Sequence, residues 1–220
     1  MTRSIFQCAF GATITLLVNH AMADPLLLDI QHQWAHCEYQ VSGDKPKQTC
    51  LEDTTRHVAS IAAQYPERSD IKIWLAISQS SLAGQKGGFS ALDLVKHAKK
   101  ELLQVLSEKP TILDGSAYTT LGSLYYQVPG WPIGFGSDSE AKKYLQKSLE
   151  INPNGIDSNY FYADFLRSQG NKKQAVAYFL KAYHAPLRSD RPIADQGRRG
   201  QIKAKLAKLG CTQANHCLAN

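Results

Sequence analysis

Cys37 and Cys50 are the residues whose chemistry can be read first. They lie 13 positions apart, and His32 and His36 stand just before them on what reads as one helix turn. Two histidines four apart suit a metal. Only Cys37 and Cys50 could complete such a set nearby, and oxidation of the two thiols would consume both. A disulfide Cys37–Cys50 is therefore the expectation, with no metal and no cofactor. Cys211 and Cys217, with His216 beside them, read the same way, as a clamp on a tail spanning residues 211–220. The spacing supports local pairing, although four cysteines allow three connectivities.

Catalytic patterns are missing. The chain has no Gly-x-Ser-x-Gly elbow, no His-Glu-x-x-His and no glycine loop ahead of a Lys-Ser/Thr pair, so neither an activated serine, a zinc-bound water nor a cradled phosphate is indicated. Asp and Glu are scattered without an identifiable acid–base pair. We therefore expect no enzyme.

Aromatic residues are the stronger signal. Val128-Pro-Gly-Trp-Pro-Ile-Gly-Phe-Gly136 is an apolar stretch stiffened by two prolines, unlike a flexible polar loop. Trp131, Ile133 and Phe135 could line or lid an apolar pocket with Tyr125 and Tyr126, or fold back as packing. Asn159, Tyr160 and Tyr162 could offer polar handles beside aromatic surface, or serve the packing between repeats. Trp74 reads first as core and second as a ligand contact.

These residues need elements to hold them. Pro66, Pro110 and Pro153 recur at gaps of 44 and 43 residues, with Pro186 a further 33 on. Each closes a stretch of helical apolar spacing, which a proline cannot continue. Thr49-x-x-Glu52, Ser90-x-x-Asp93, Ser137-x-x-Glu140 and Asn171-x-x-Gln174 each read as a helix start, with a short side chain accepting from an orphan N–H. The first helices are expected near Pro25–Gln40, Asp70–Ala83, Ser116–Gln127 and Asp157–Ser168. Their partners are expected near Cys50–Gln64, Ala91–Glu108, Asp138–Ile151 and Lys172–Ala185. A polar, amphipathic capping helix over Ala194–Leu209 follows. The fold class is thus all-α, a solenoid of four helix-turn-helix pairs filling residues 24–210. Insertions at 41–49, 84–90 and 128–137 would emerge along one edge as a rim of loops.

Residues 1–23 read as an export signal: Arg3, an apolar run from Ile5 to Val18, and Ala21-Met22-Ala23 as the cleavage site. The protein is then periplasmic or secreted. No cysteine follows Ala23 to carry a lipid, and no later segment suits a membrane span. The formal charge of +6 falls by one with the loss of Arg3. It is spread along the chain and reads as a solvated surface, with no stripe for nucleic acid.

The third and fourth pairs resemble tetratricopeptide repeats. The fourth has Tyr162-Ala163, Leu166, Gly170, Ala175, Phe179 and Ala182 at the offsets of that motif. The third has Tyr118, Leu121-Gly122, Tyr125, Ala141, Leu145, Ser148 and Pro153. The second pair is looser and the first is the weakest. The resemblance implies a scaffold that binds a protein or peptide. A narrower resemblance rests on Leu121 to Gly136, with Ala141, Leu145 and Asn159-Tyr-Phe-Tyr162 in support. It is to the periplasmic T-component family of TRAP transporters. It implies a transport accessory that docks on a periplasmic solute-binding protein and holds a small apolar ligand.

Overall fold

The computed structural model describes residues 24–211, and over that range it is all-helical. Its elements are α1 (Pro25–Tyr39), α2 (Asp44–Gln64), α3 (Ser69–Lys86), α4 (Gly88–Glu108), α5 (Ile112–Gln127), α6 (Asp138–Ile151), α7 (Ile156–Ser168), α8 (Lys172–Tyr183) and α9 (Pro192–Lys208). The expected signal segment lies outside this range, as does Cys217 of the expected Cys211–Cys217 pair. Neighbouring helices pack as pairs: α1 with α2, α3 with α4, α5 with α6, and α7 with α8. This is the expected tetratricopeptide-like solenoid.

Close approach within the pairs depends on small residues. A side chain at Gly122 would collide with the Leu145 side chain, 2.7 Å from its Cγ, so α5 and α6 can meet there only over a glycine. Ala163, Ala175 and Ala182 are fully buried beside Phe179. Thr119 Oγ1 and the buried Ser148 Oγ bond at 2.5 Å across α5 and α6, which satisfies both polar groups inside the seam.

Two of the four expected caps are seen. Ser137 Oγ accepts from the Glu140 N–H and Asn171 Oδ1 from the Gln174 N–H. Thr49 and Ser90 are corrections. α2 begins five residues before Thr49, whose hydroxyl donates to the Lys45 carbonyl. α4 begins at Gly88, and Ser90 donates to the Gly87 carbonyl. The cause is local. Pro46 lies in the first turn of α2, where its missing N–H costs nothing. Gly87 and Gly88, at φ 63° and 64°, make the turn between α3 and α4 with no longer loop. The rim of three loops is accordingly reduced to one long loop, 128–137. In α5 the residues Leu113, Asp114 and Gly115 are left-handed, so its regular part begins at Ser116, where the sequence placed it.

Cys37 and Cys50 face each other across α1 and α2 with Cα atoms 5.5 Å apart and sulfurs in bonding contact. A link closing so short a loop is worth about 3 kcal/mol. Reduction of the protein is expected to lower its urea midpoint accordingly. A Cys37→Ser/Cys50→Ser double variant should respond less to reductant than the wild type, and an equal response in both would refute the link.

The inner wall of the solenoid is formed by α1, α3, α5 and α7, each touching the next of the set. α9 touches both α7 and α1, so the chain curls until its last helix meets its first. Gly197 permits this, because any Cβ there would overlap the Tyr39 ring. His32 Nε2 bonds the Asp190 carbonyl oxygen at 2.6 Å and seals the same seam. No helix among the described residues is long and apolar enough to cross a membrane.

Candidate functional site

Closure turns the concave face into a walled cavity of about 330 Å³. α3 and α5 supply one side, with Trp74, Ser80, Ser81, Thr120 and Ser123. α1 supplies Trp34 and Tyr39. α7, the 184–191 connection and α9 supply Asp157, Tyr160, Asp164, Arg188, Arg191 and Arg198.

The charges in this wall form a network. Asp157 accepts from Arg198 Nε at 2.9 Å and from Arg188 Nη1 at 3.2 Å. Asp195, fully buried, accepts from the Arg188 backbone N–H at 2.6 Å and from two of its guanidinium nitrogens. Asp164 accepts from Arg167 Nε at 2.7 Å, Lys205 Nζ at 2.8 Å and the Tyr126 hydroxyl at 3.2 Å. The Arg198 guanidinium also lies 4.3 Å from the Tyr160 ring centre and 4.8 Å from that of Phe161, a cation–π pairing that suits a delocalised cation.

Burial would raise the Asp157 pKa, but Arg198, Arg188 and Arg191 outweigh it and hold the carboxyl at about 2. Asp164 is likewise held below the usual carboxylate range: its burial is outweighed by bonds from Arg167 and Lys205. A depressed carboxyl pKa stabilises the fold above the unfolded value of about 3.9, and that stability is lost as pH falls through the folded value. The Asp157 side chain is 37% exposed to the cavity, so screening leaves its contribution at about 1 kcal/mol. The stability gap between the wild type and Asp157→Asn should be constant above pH 4 and close between pH 4 and 2. A gap unchanged at pH 2 would show that these pairs do not stabilise the fold.

A second cavity of about 400 Å³ lies beside the first and shares Ser80, Gly84, Ser123 and Gln127 with it. Its walls are apolar: Ala83, Phe89, Leu92, Val95, Leu124 and Ile133 among them.

The residues singled out from the sequence part company here. Trp74 and Tyr160 line the central cavity. Ile133 lines the apolar side cavity and is 59% exposed. The loop does not gather Trp131, Ile133, Phe135, Tyr125 and Tyr126 around either of these cavities. Trp131 points to solvent, 89% exposed, and neither it nor Phe135 lines either cavity. Phe135 packs edge-on against Tyr125, centroids 5.5 Å apart, and Tyr125 stacks on Tyr144 at 5.5 Å. Lys99 covers both the Phe135 and Tyr125 rings. Tyr126 reaches the site through its hydroxyl, which donates to Asp164 and accepts from Gln127 Nε2. Asn159 donates to the carbonyls of Pro153 and Gly155 at 2.9 and 2.8 Å and so ties the turn before α7. Tyr162 packs edge-on against Tyr178 of α8, centroids 4.8 Å apart.

The cationic half of the site was not anticipated. Arg198 reads as the solvated outer face of an amphipathic cap, yet it is 8% exposed. One signal was available: Asp157 and Asp164 are seven apart on α7, hence on one helical face, and an inward pair of acids requires bases opposite.

Residues 156–183, which are α7 and α8, match the family model of the tetratricopeptide repeat. This pair is a tetratricopeptide repeat. It is the pair whose residues fit the motif best, with the buried Ala163, Ala175, Phe179 and Ala182 at the contact between the repeat's two helices. Such repeats serve typically as non-catalytic scaffolds for protein interaction. No curated protein matches the chain.

Proposed function

We propose that this chain is an exported, non-catalytic repeat scaffold that receives a partner's chain end or a small ligand inside its closed ring. The contact of α9 with α1 carries the reading. An open solenoid offers its concave face as a long groove. Here that face borders a cavity of about 330 Å³, a volume suited to a few residues of extended chain or a small molecule. The wall is built for binding rather than for turnover. Asp157, Asp164 and Asp195 are each held by cations, which leaves no poised acid–base pair. Export is supported by the pattern of residues 1–23 and by the contact between Cys37 and Cys50.

Opening the ring tests the reading. Gly197→Leu forces a side chain into Tyr39 and should cost about 1–3 kcal/mol by overpacking. The helical circular dichroism should persist. Native mass spectrometry of protein purified from the cell envelope should show a co-purifying mass on the wild type that is missing from the variant. An identical retained mass on both would place binding outside the ring.

A second reading, a transport accessory like the T-component family, draws support from the side cavity. Its apolar walls suit an apolar ligand. The exposed Trp131 and the Phe89 and Ile133 side chains, 86% and 59% exposed, would give a docking protein such as a solute-binding protein apolar anchors. A solute-binding protein recovered by pull-down with the wild type and lost with Trp131→Ala would support it.

A further inference from the structure

The cations that line the central cavity are not equally occupied. Lys47 pairs with Glu38 at 3.3 Å, Arg188 with Asp157 and Asp195, and Arg198 with Asp157. Arg191 is different: among the described residues no carboxylate lies within ion-pair distance of its guanidinium. Its central carbon instead sits 5.8 Å from the centre of the Trp74 ring, and its side chain is partly buried in the wall. Burial, and then the nearby Arg188, lower its pKa despite the pull of Asp157, Asp195 and Asp190. The surroundings thus hold this cation less favourably than water would, the condition a bound anion relieves.

Three hydroxyls of the facing wall have little to offer an anion. Thr120 Oγ1 donates to the Ser116 carbonyl, Ser123 Oγ to Thr120 and Ser80 Oγ to Ala76. With their protons spent on their own helix, these hydroxyls present lone pairs to the cavity. Among the lining cations, an anion is therefore directed to Arg191. Arg191 is also the one lining cation without a carboxylate among the described residues. A single negative charge matches it, whereas a dianion would bring a second charge out of water without a partner. The planar guanidinium suits a carboxylate, which it can meet with two parallel N–H bonds. The apolar cavity adjoins this polar one, and the two share Ser80, Gly84, Ser123 and Gln127 in their walls.

We infer that the two cavities together hold an amphiphilic monocarboxylate, its carboxylate on Arg191 and its hydrocarbon body against Val95, Leu124 and Ile133. The inference rests on the reading of the ring as a binding chamber and names the ligand class for it.

The test uses isothermal titration of the mature chain with decanoate, decanol, inorganic phosphate and a short peptide with a free C-terminus. Decanoate should bind, and Arg191→Met should weaken it at least tenfold, while decanol should bind wild type and variant alike and more weakly than decanoate does the wild type. Arg191→Lys keeps a charge and should recover part of the loss, and circular dichroism checks that each variant folds. Ile133→Glu, at an exposed position, should weaken decanoate and decanol together. Decanoate binding unaffected by Arg191→Met, or absent from the wild type, overturns the inference. So does an Arg191-dependent peptide bound more tightly than decanoate, or phosphate bound more tightly than either. The broader reading fails separately: if Gly197→Leu retains the co-purifying mass, the ring is not the chamber, and if only the decanoate result fails, the chamber stands with another ligand.

Discussion

Phe179→Ala is expected to lower the unfolding free energy by about 3–5 kcal/mol, the range for a phenylalanine removed from a packed interior. Phe179 is the largest of the fully buried side chains. It stands on α8, faces α7 and meets Tyr160 with ring centroids 5.7 Å apart. Tyr160 in turn lines the central cavity and carries Arg198 over its ring. A void at Phe179 thus loosens the wall as well as the core. Equilibrium urea unfolding should show the loss, and Phe179→Leu, which keeps most of the volume, should recover more than half of it. Phe89→Ala, at an exposed position, should stay within about 0.5 kcal/mol of the wild type. Equal midpoints for Phe179→Ala and the wild type would mean that the α7–α8 seam is not the centre of the core.

Asp195→Ala should cost a similar amount, about 3–5 kcal/mol, for an electrostatic reason. Asp195 is fully buried and accepts both the backbone N–H and the guanidinium of Arg188. Removing it orphans the Arg188 N–H and leaves the guanidinium, on a side chain 30% exposed, with Asp157 as its remaining partner, which costs more than the net worth of the pair. Arg188 still holds Asp157, so the 184–191 connection is loosened rather than freed. Limited proteolysis should cut this connection in Asp195→Ala well before the wild type. Asp195→Asn retains one acceptor oxygen and should fall between them. A variant as resistant and as stable as the wild type would show that this network is ornamental to the closure of the ring.

The two expected losses differ in how visible they were beforehand. Phe179 sits at a repeat position with Ala175 and Ala182, and its burial follows from apolar spacing on one helix. Asp195 and Arg198 look like ordinary members of a polar helix, and Arg188 and Arg191 like a polar linker. Local pattern cannot separate a charge that faces water from one that faces a chamber made by the far end of the chain. The caps make the same point at shorter range. Ser137 and Asn171 follow real breaks and do cap. Thr49 and Ser90 carry the same residue types but lie inside helices, because Pro46 and the Gly87-Gly88 turn start those helices earlier. The prolines and aromatics of the 128–137 loop mark it as ordered, yet which ring packs and which projects depends on Tyr144 and Lys99 of other helices.

Periodic prolines, small residues at contact positions and helical apolar spacing are properties of neighbours along the chain. They were enough to establish an all-α repeat, its paired helices and the adjacency of Cys37 to Cys50. The closure of α9 on α1, the chamber it creates and the burial of its arginines depend on the summed curvature of four pairs and on one glycine meeting one tyrosine 158 positions away. Those quantities exist only when the whole solenoid is assembled, since small rotations between pairs accumulate and no single repeat records the total.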